Sequence, residues 1–464
     1  MTTSRTRLVT PALVVPAIAG CLALLGACGS AAQSSGNSAG VGGDTTPQAG
    51  GSSTVGEGGA NANTQTNAVP TTSGGSTTMG TTMTSVGAGG TVAAGGTTST
   101  VAPGTGGRTD VGGSSSTGTV VSYPNGAPSG SPVANHGQLK VVGTQLQDQG
   151  GKPFQLKGVS SMWLNWETKP FAESKNALKY MRDSWKLSLI RASMGIEATG
   201  GYLDTKATTT GITNKANMQA KVDAIVQNAI DLGVYVIVDW HTEKAVTQQA
   251  DSVAFFTAMA TKYGSYPNVI FEPYNEPNGT GTTWAQIKPY HEAVVKAIRD
   301  TGSQNLIVMG TPKWSQDVDL ASQDPVVGTN LLYTLHFYAC THTQKLRDKA
   351  NTALANGVAL FVTEFGATPA DGGVIPTATK TGSGAIICEP ETNNWFTWMA
   401  QNNISGAAWK LEQCTDSSCI LTASAPVDGP WSDDVLSNDA AGTPVTGGVQ
   451  GGGHGLFVVN WIRQ

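Results

Sequence analysis

The chain is poor in charge. Asp, Glu, Lys and Arg make up 13% of its 464 residues, and acidic residues outnumber basic ones, giving a net charge of -5 and an isoelectric point near 5.7. A nucleic-acid partner would need a basic footprint, so that class of function is excluded. Aromatic residues are scarce in the first 132 positions, and almost all core-forming residues lie after Val133. The early stretch cannot bury enough surface to fold. Cysteines number 6, and their spacings do not suit a zinc site with paired Cys-x-x-Cys ligands, so no metal is expected. No Gly-rich phosphate turn follows the first strand candidate, which argues against an open dinucleotide-binding sheet.

What is present falls into three parts, expected at residues 1–27, 28–132 and 133–464. Arg5 and Arg7 precede an apolar run, Leu8–Ala27, interrupted by Pro11 and Pro16 and ending in small residues. That is the pattern of a secretory signal peptide, with an apolar part too short for a comfortable membrane span. The stretch Leu25-Gly26-Ala27-Cys28 resembles a bacterial lipobox, which implies that Cys28 is acylated and anchors the chain to a membrane. Ordinary cleavage near Ala27 with Cys28 unmodified is the alternative; both imply export. From Gly29 to about Pro132 the chain is dominated by Gly, Ser, Thr and Ala without a fixed repeat, and reads as a disordered tether. Some hundred residues of this kind reach about 50–60 Å. A structural or adhesive stalk is the other reading of this part.

Cys21 leaves with the signal and Cys28 is taken by the lipid, so Cys340, Cys388, Cys414 and Cys419 remain as an even set in an oxidising compartment. Three pairings are open. Cys414 and Cys419 are close enough to close a small loop, and Cys340 with Cys388 would then tie two longer loops together.

After His136 the hydrophobic period alternates between strand and helix. Strands are expected at Phe154–Ser160, Leu187–Met194, Val234–His241, from Val269, and at Leu306–Gly310, Leu331–Tyr338, Ala359–Glu364 and Gly406–Leu411. Helices are expected at Ala177–Trp185, Asn217–Leu232, Ser252–Tyr263, Trp284–Asp300, shortly after Trp314, and at Thr343–Asn356 and Glu391–Asn402, with an apolar close at Leu456–Ile462. Eight strand–helix units in about 330 residues predict an α/β fold of the closed (β/α)₈ type, whose catalytic residues sit at strand C-termini.

By that rule one mouth collects Arg191, His241, Asn275, Glu276, His336, Tyr338, Glu364 and Trp409. A single glutamate at a strand end, such as Glu276 in VIFEPYNEPNG, caps a segment or is solvated about as often as it reacts. Eight converging residues point to chemistry. Two glutamates ending separate strands can straddle a glycosidic bond, one attacking while the other shuttles a proton. The attacking carboxylate must stay ionised, which Arg191 and Tyr338 would favour, and the acid needs a raised pKa from burial and a neighbouring negative charge.

At HGQL (136), QLKGVSS (155), IRASM (190), DLGVYVIVDWH (231), ATKYGSYPNVIFEPYNEPNG (260), GTPKWSQDV (310), YTLHFYA (333) and LFVTEFG (360) the chain resembles the endoglucanases of glycoside hydrolase family five, from about His136 to Gln464. The resemblance implies Glu276 as acid/base after the fourth strand and Glu364 as nucleophile after the seventh. It implies that Arg191, His241, Asn275, His336 and Tyr338 position the substrate and carboxylates. Trp409 would be the floor of the −1 subsite, and Trp166 and Trp314 stacking platforms on either side of the cleavage point; core packing is the alternative for each. Three positions depart from the pattern: Met162 replaces a usual His, Gly195 a frequent Tyr and Cys414 a frequent Lys, with Asp416 near the usual Glu. Each loses a polar contact to the sugar on the non-reducing side. The expected activity is retaining endo-β-1,4-glucan hydrolysis by a monomer without cofactor. A mannanase or other β-glycanase of the same clan, and a non-catalytic carbohydrate-binding surface lipoprotein, are the rivals.

Overall fold

The computed structural model describes residues 126–208, 210–279, 282–370, 387–413, 416–438 and 453–464. The signal segment, Cys28, the tether up to residue 125 and the Cys414–Cys419 pairing lie outside these residues. Among the described residues no helix is long and apolar enough to cross a membrane.

Eight parallel strands close into a barrel: β1 (Lys157–Ser161), β2 (Leu189–Gly195), β3 (Tyr235–His241), β4 (Val269–Glu272), β5 (Ile307–Met309), β6 (Leu331–Tyr338), β7 (Leu360–Gly366) and β8 (Gly406–Leu411). Closure comes from β8, which pairs with both β1 and β7. Strands so rich in Val, Ile, Leu and Phe must be covered on both faces. The cover is a helix after each strand: α1 (Lys175–Tyr180), α2 (Asn214–Leu232), α3 (Gln249–Tyr263), α4 (Trp284–Asp300), α5 (Val318–Gln323), α6 (Gln344–Ala355), α7 (Glu389–Gln401) and α8 (Gly455–Arg463). In α2, Met218, Val222, Ile225, Val226 and Ala229 make the buried stripe, and Thr213 caps the first turn by accepting from Ala216 N–H.

A short helix, Pro132–His136, and a hairpin pairing Lys140–Val142 with Gln145–Gln147 cover the N-terminal end of the barrel. Here Val133, Leu139, Leu146 and Leu156 pack against Leu189, Tyr235, Ile270, Leu332 and Phe361. The contacts begin before Val133. Gly233 ends α2 with φ 65°, and a Cβ there would stand 2.1 Å from Ser131 Oγ and 3.2 Å from Pro128 Cδ, so only glycine allows this approach.

Inside the barrel the side-chain period of two sorts residues into layers. The lower layer holds Leu189, Ile237, Ile270, Leu332 and Phe361. Two residues along the same strands come Arg191, Asp239, Glu272, Thr334 and Thr363, all fully buried.

Several boundaries differ from expectation; α2 and α3, for example, begin at Asn214 and Gln249 rather than Asn217 and Ser252. Phe154–Leu156 precede β1, and Phe154 N–H donates instead to Leu146 O at 3.0 Å in the hairpin. The helix expected at Ala177–Trp185 is α1 followed by a π-helical turn, Met181–Trp185. The short helix expected after Trp314 is α5. Before it, Lys313, Trp314 and Ser315 take left-handed φ of 59°, 54° and 55°. That turn is pinned to the segment after β4, with Trp314 N–H donating to Pro277 O at 3.1 Å and Ser315 Oγ to Asn275 O at 2.7 Å.

Candidate active site

Beyond Glu272 the chain continues alongside the end of β3. Asn275 N–H donates to Trp240 O (3.3 Å) and Glu276 N–H to Thr242 O (3.2 Å), which fixes both residues at the mouth. Glu364 arrives by a different device. Between Thr334/Phe361 and His336/Glu364 the β6–β7 register shifts, with one extra residue on β7. A bulge of this kind re-aims side chains. Consecutive residues Thr363 and Glu364 therefore both reach the interior, one to Glu272 Oε1 at 2.6 Å and the other to the Arg191 guanidinium at 3.0 Å.

Arg191 is the hub. Its Nε donates to Glu272 Oε2 at 2.8 Å, its NH1 to Glu364 Oε2 at 3.0 Å, and its NH2 to Asn275 Oδ1 at 2.7 Å, with Asp239 Oδ2 at 2.9 Å. Burial pushes Asp239 and Glu272 above the usual carboxylate range against the pull of this guanidinium. The other Glu364 oxygen accepts from Tyr338 OH at 2.5 Å, and burial followed by the Glu364 charge pushes that phenol well up.

Two histidines hold defined tautomers. His241 Nδ1 lies 2.6 Å from Asp239 Oδ2, so it donates there and leaves Nε2 as an acceptor toward Asn275 Nδ2 at 3.4 Å. Burial, then Arg191, pulls its pKa down to about 3, keeping it neutral. His336 Nε2 lies 2.9 Å from Thr363 Oγ1, whose own hydrogen goes to Glu272. Nε2 is therefore the donor, and burial holds His336 near 4, so its Nδ1 is a bare acceptor. That acceptor sits 2.9 Å from Glu276 Oε1. A carboxyl facing a lone pair must carry the hydrogen itself. Electrostatics point the same way: desolvation first, then the Glu243 charge, pushes Glu276 up to about 8.

The structure thus brings together all eight residues expected at the mouth. Trp409, 8% exposed, stacks against His241 with ring centroids 5.4 Å apart. Trp166 lies farther out on the rim, 40% exposed, and Trp314 occupies the left-handed turn beside Pro277. The neighbouring negative charge that raises Glu276 most is that of Glu243, whose carboxylate accepts from Asn278 Nδ2 at 3.2 Å. Also missed were Ser160, Asp239, Glu272 and Thr363. Their signal was a polar residue inside an otherwise apolar strand, two positions before another in Asp239 and His241 of YVIVDWH. Asp416, near the position of the usual glutamate, is engaged with Lys410 Nζ at 2.8 Å. Cys340 and Cys388 form a disulfide that joins the loop after β6 to the start of α7.

The closest approach is the telling one. Oxygens of Glu276 and Glu364 and a nitrogen of His336 all lie within 4.8 Å of one another, the one set of such donors among the described residues near enough to hold a metal ion. A cation there would compete with Arg191 and Tyr338 for Glu364. Two carboxyls at this spacing, one carrying a hydrogen and one accepting from a guanidinium and a phenol, can protonate a glycosidic oxygen and attack the carbon it leaves.

Comparison with known proteins agrees with this geometry. The chain is 43% identical over 305 residues to an endoglucanase of Clostridium saccharobutylicum, covering 65% of this chain and 63% of that one. It is 44% identical over 276 residues to endoglucanase Z of Dickeya dadantii, covering 59% of each. It thus spans about three-fifths of the length of these relatives. The catalytic domain of Thermobifida fusca endoglucanase Cel5A superposes with a TM-score of 0.59 at 27% identity, covering 72% of this chain and 100% of that domain. A barrel whose β4 and β7 each deliver a glutamate to one mouth, and whose residues 147–415 match the profile described as cellulase (glycosyl hydrolase family 5), makes this chain a member of that family.

Proposed function

We propose that the protein is a retaining endo-β-1,4-glucanase in which Glu276 is the acid/base and Glu364 the nucleophile. The observation that carries this reading is that an oxygen of Glu276 lies within 4.8 Å of an oxygen of Glu364. Inverting hydrolases keep their carboxyls about 6.5–9.5 Å apart to admit a water, whereas direct attack needs about 5–5.5 Å. Glu364, ionised beside Arg191 and Tyr338, attacks the anomeric carbon. Glu276, protonated because it is largely withdrawn from water and faces the His336 lone pair, gives its proton to the departing oxygen. Once Glu364 is glycosylated, Glu276 as a carboxylate takes a proton from water, which attacks the same carbon and restores Glu364.

Arg191, His241, Asn275, His336 and Tyr338 are positioning residues in this scheme. Asn275, oriented by Arg191, is placed to bond the sugar hydroxyl beside the reacting carbon. Trp409 would floor the −1 site, with Trp166 and Trp314 as platforms on either side. A solved structure of the Thermobifida fusca enzyme in complex with cellotetraose supports a β-glucan as the bound chain.

The test is hydrolysis of soluble glucans, mannans and xylans, with magnetic resonance of the first products. The β-anomer should appear first from β-1,4-glucan, and Glu364→Ala should abolish reducing-end release, by on the order of 10⁴-fold or more, while retaining binding. Inversion, or activity surviving that substitution, would remove the assignment. Preference for mannan would favour the mannanase reading; binding without turnover by the unaltered chain would favour the carbohydrate-binding lipoprotein.

The rest of the chain fits a surface enzyme: a signal at 1–27, a lipid on Cys28, a tether through 132, and the barrel acting as a monomer on polysaccharide beyond the membrane. Labelling with radioactive palmitate should mark the full-length chain and not Cys28→Ala.

A further inference from the structure

We propose that Glu272 and Thr363 are positioning residues for the acid/base: acting through His336, they decide which of the two carboxyls, Glu276 or Glu272, carries the proton. This deepens the hydrolase reading above and rests on it. Four side chains form one relay. Glu276 Oε1 lies 2.9 Å from His336 Nδ1, His336 Nε2 lies 2.9 Å from Thr363 Oγ1, and Thr363 Oγ1 lies 2.6 Å from Glu272 Oε1. His336, Thr363 and Glu272 are all buried. Among the described residues neither the imidazole nor the hydroxyl has another hydrogen-bond partner. Each gap holds one hydrogen, so all three hydrogens must point the same way.

The direction is set at the inner end. Arg191 Nε donates to Glu272 Oε2 at 2.8 Å and favours the ionised carboxylate there. Thr363 then donates to Glu272, His336 Nε2 donates to Thr363, and the bare Nδ1 faces a hydrogen on Glu276. The reverse arrangement is equally complete. Three hydrogens each cross one gap: Glu276 O–H passes to Nδ1, Nε2–H to Oγ1, and Oγ1–H to Glu272 Oε1. Three bonds to hydrogen break and three form, nothing is oxidised or reduced, and the negative charge moves from Glu272 to Glu276. Burial raises both carboxyls above the usual range, so the pair keeps a proton near neutral pH and the relay settles whose it is. The β7 bulge thus delivers two successive residues with separate tasks, Glu364 to attack and Thr363 to hold Glu276 in its acidic form. The charged and titratable neighbours are Arg191 and Asp239 at Glu272, His241, His342 and Glu364 at His336, and Glu243 and Tyr338 at Glu276. Replacing Thr363 alters none of these.

The experiment is the pH profile of kcat/KM on soluble β-1,4-glucan, with melting temperature read alongside. Thr363→Val keeps the volume and removes the hydroxyl. Nε2–H would then be a buried donor without a partner, so the imidazole hydrogen moves to Nδ1, donates to Glu276 and favours its ionised form. The alkaline limb should move down by about one pH unit. Thr363→Ser keeps the hydroxyl and should leave the limb in place; lost packing alone would lower the rate without moving the limb. An unmoved limb in folded Thr363→Val overturns the proposal. Should that variant not fold, nitrogen-15 magnetic resonance of the unaltered chain, labelled at its 6 histidines, decides. Near pH 6 His336 should carry hydrogen on Nε2 and none on Nδ1. The hydrogen should change nitrogen as pH rises through about 8, because ionised Glu276 then needs a donor. Hydrogen on Nδ1 near pH 6, or no change with pH, overturns the proposal. If the unaltered chain hydrolyses no β-glucan, the hydrolase reading fails, and the same spectra judge the relay by itself.

Discussion

The two layers of the barrel interior stand on the same strands, a two-residue step apart, and they do opposite things. In the lower layer Leu189, Ile237, Ile270, Leu332 and Phe361 are sealed by the N-terminal hairpin. Each such side chain stabilises the fold by about 1.5–3 kcal/mol. In the upper layer the carboxyls of Asp239 and Glu272 share the Arg191 guanidinium, with Glu364 from the mouth above them, and Arg191, Asp239 and Glu272 have no exposure. Desolvating such a group costs as much as its attractions return, or more, so this layer is weak support for the fold. What it provides is aim. Arg191 orients Asn275 and Glu364, Asp239 fixes the His241 tautomer, and Thr363 fixes that of His336. The barrel separates holding itself together from placing charge, by one turn of the β pleat.

The separation predicts contrasting variants. Arg191→Met should do the most damage, because it leaves Asp239, Glu272 and Glu364 without their shared cation. A loss of about 3–5 kcal/mol is expected in urea unfolding, with kcat/KM reduced by at least about 10²-fold from the loss of charge stabilisation. Leu332→Ala, two residues below Thr334 on β6, should cost about 2–5 kcal/mol from the cavity it leaves and leave kcat/KM nearly unchanged. If it lowers activity in proportion to stability, the two layers are not separable and the comparison is wrong.

The apolar layer and the mouth were legible in sequence for different reasons. The eight strands show as short β-branched and aromatic runs, and their last polar residues, His241 in VYVIVDWH or Tyr338 in YTLHFY, mark the mouth directly. The upper layer was hidden because Asp239 and Glu272 sit inside those runs, where a polar residue looks like an interruption. Only the period of two, applied strand by strand, shows that they share an interior with Arg191. The arrival of Glu364 was hidden more deeply. With strict alternation, Thr363 and Glu364 would face opposite sides, and the extra β7 residue that brings both inside is set by pairing with β6, a long-range property. Glu243 gave no local signal at all.

Glu243 offers the finest probe of the comparison, since it lies outside both layers and touches the chemistry only through its field. Glu276 is raised to about 8 by burial and then by the Glu243 charge. In the proposed mechanism Glu276 works while protonated, so kcat/KM should hold below that value and fall as pH rises through about 8. In Glu243→Gln the repelling charge is gone, the Glu276 proton leaves more readily, and the alkaline limb should move to lower pH. The variant should therefore match the unaltered enzyme near pH 6 and fall below it near pH 8, by less than about tenfold, since a single charge at a partly exposed site is screened. Raising the ionic strength should narrow that gap. A limb that stays in place would mean that burial against the upper layer alone sets the acid, and that the charge on the rim is a bystander.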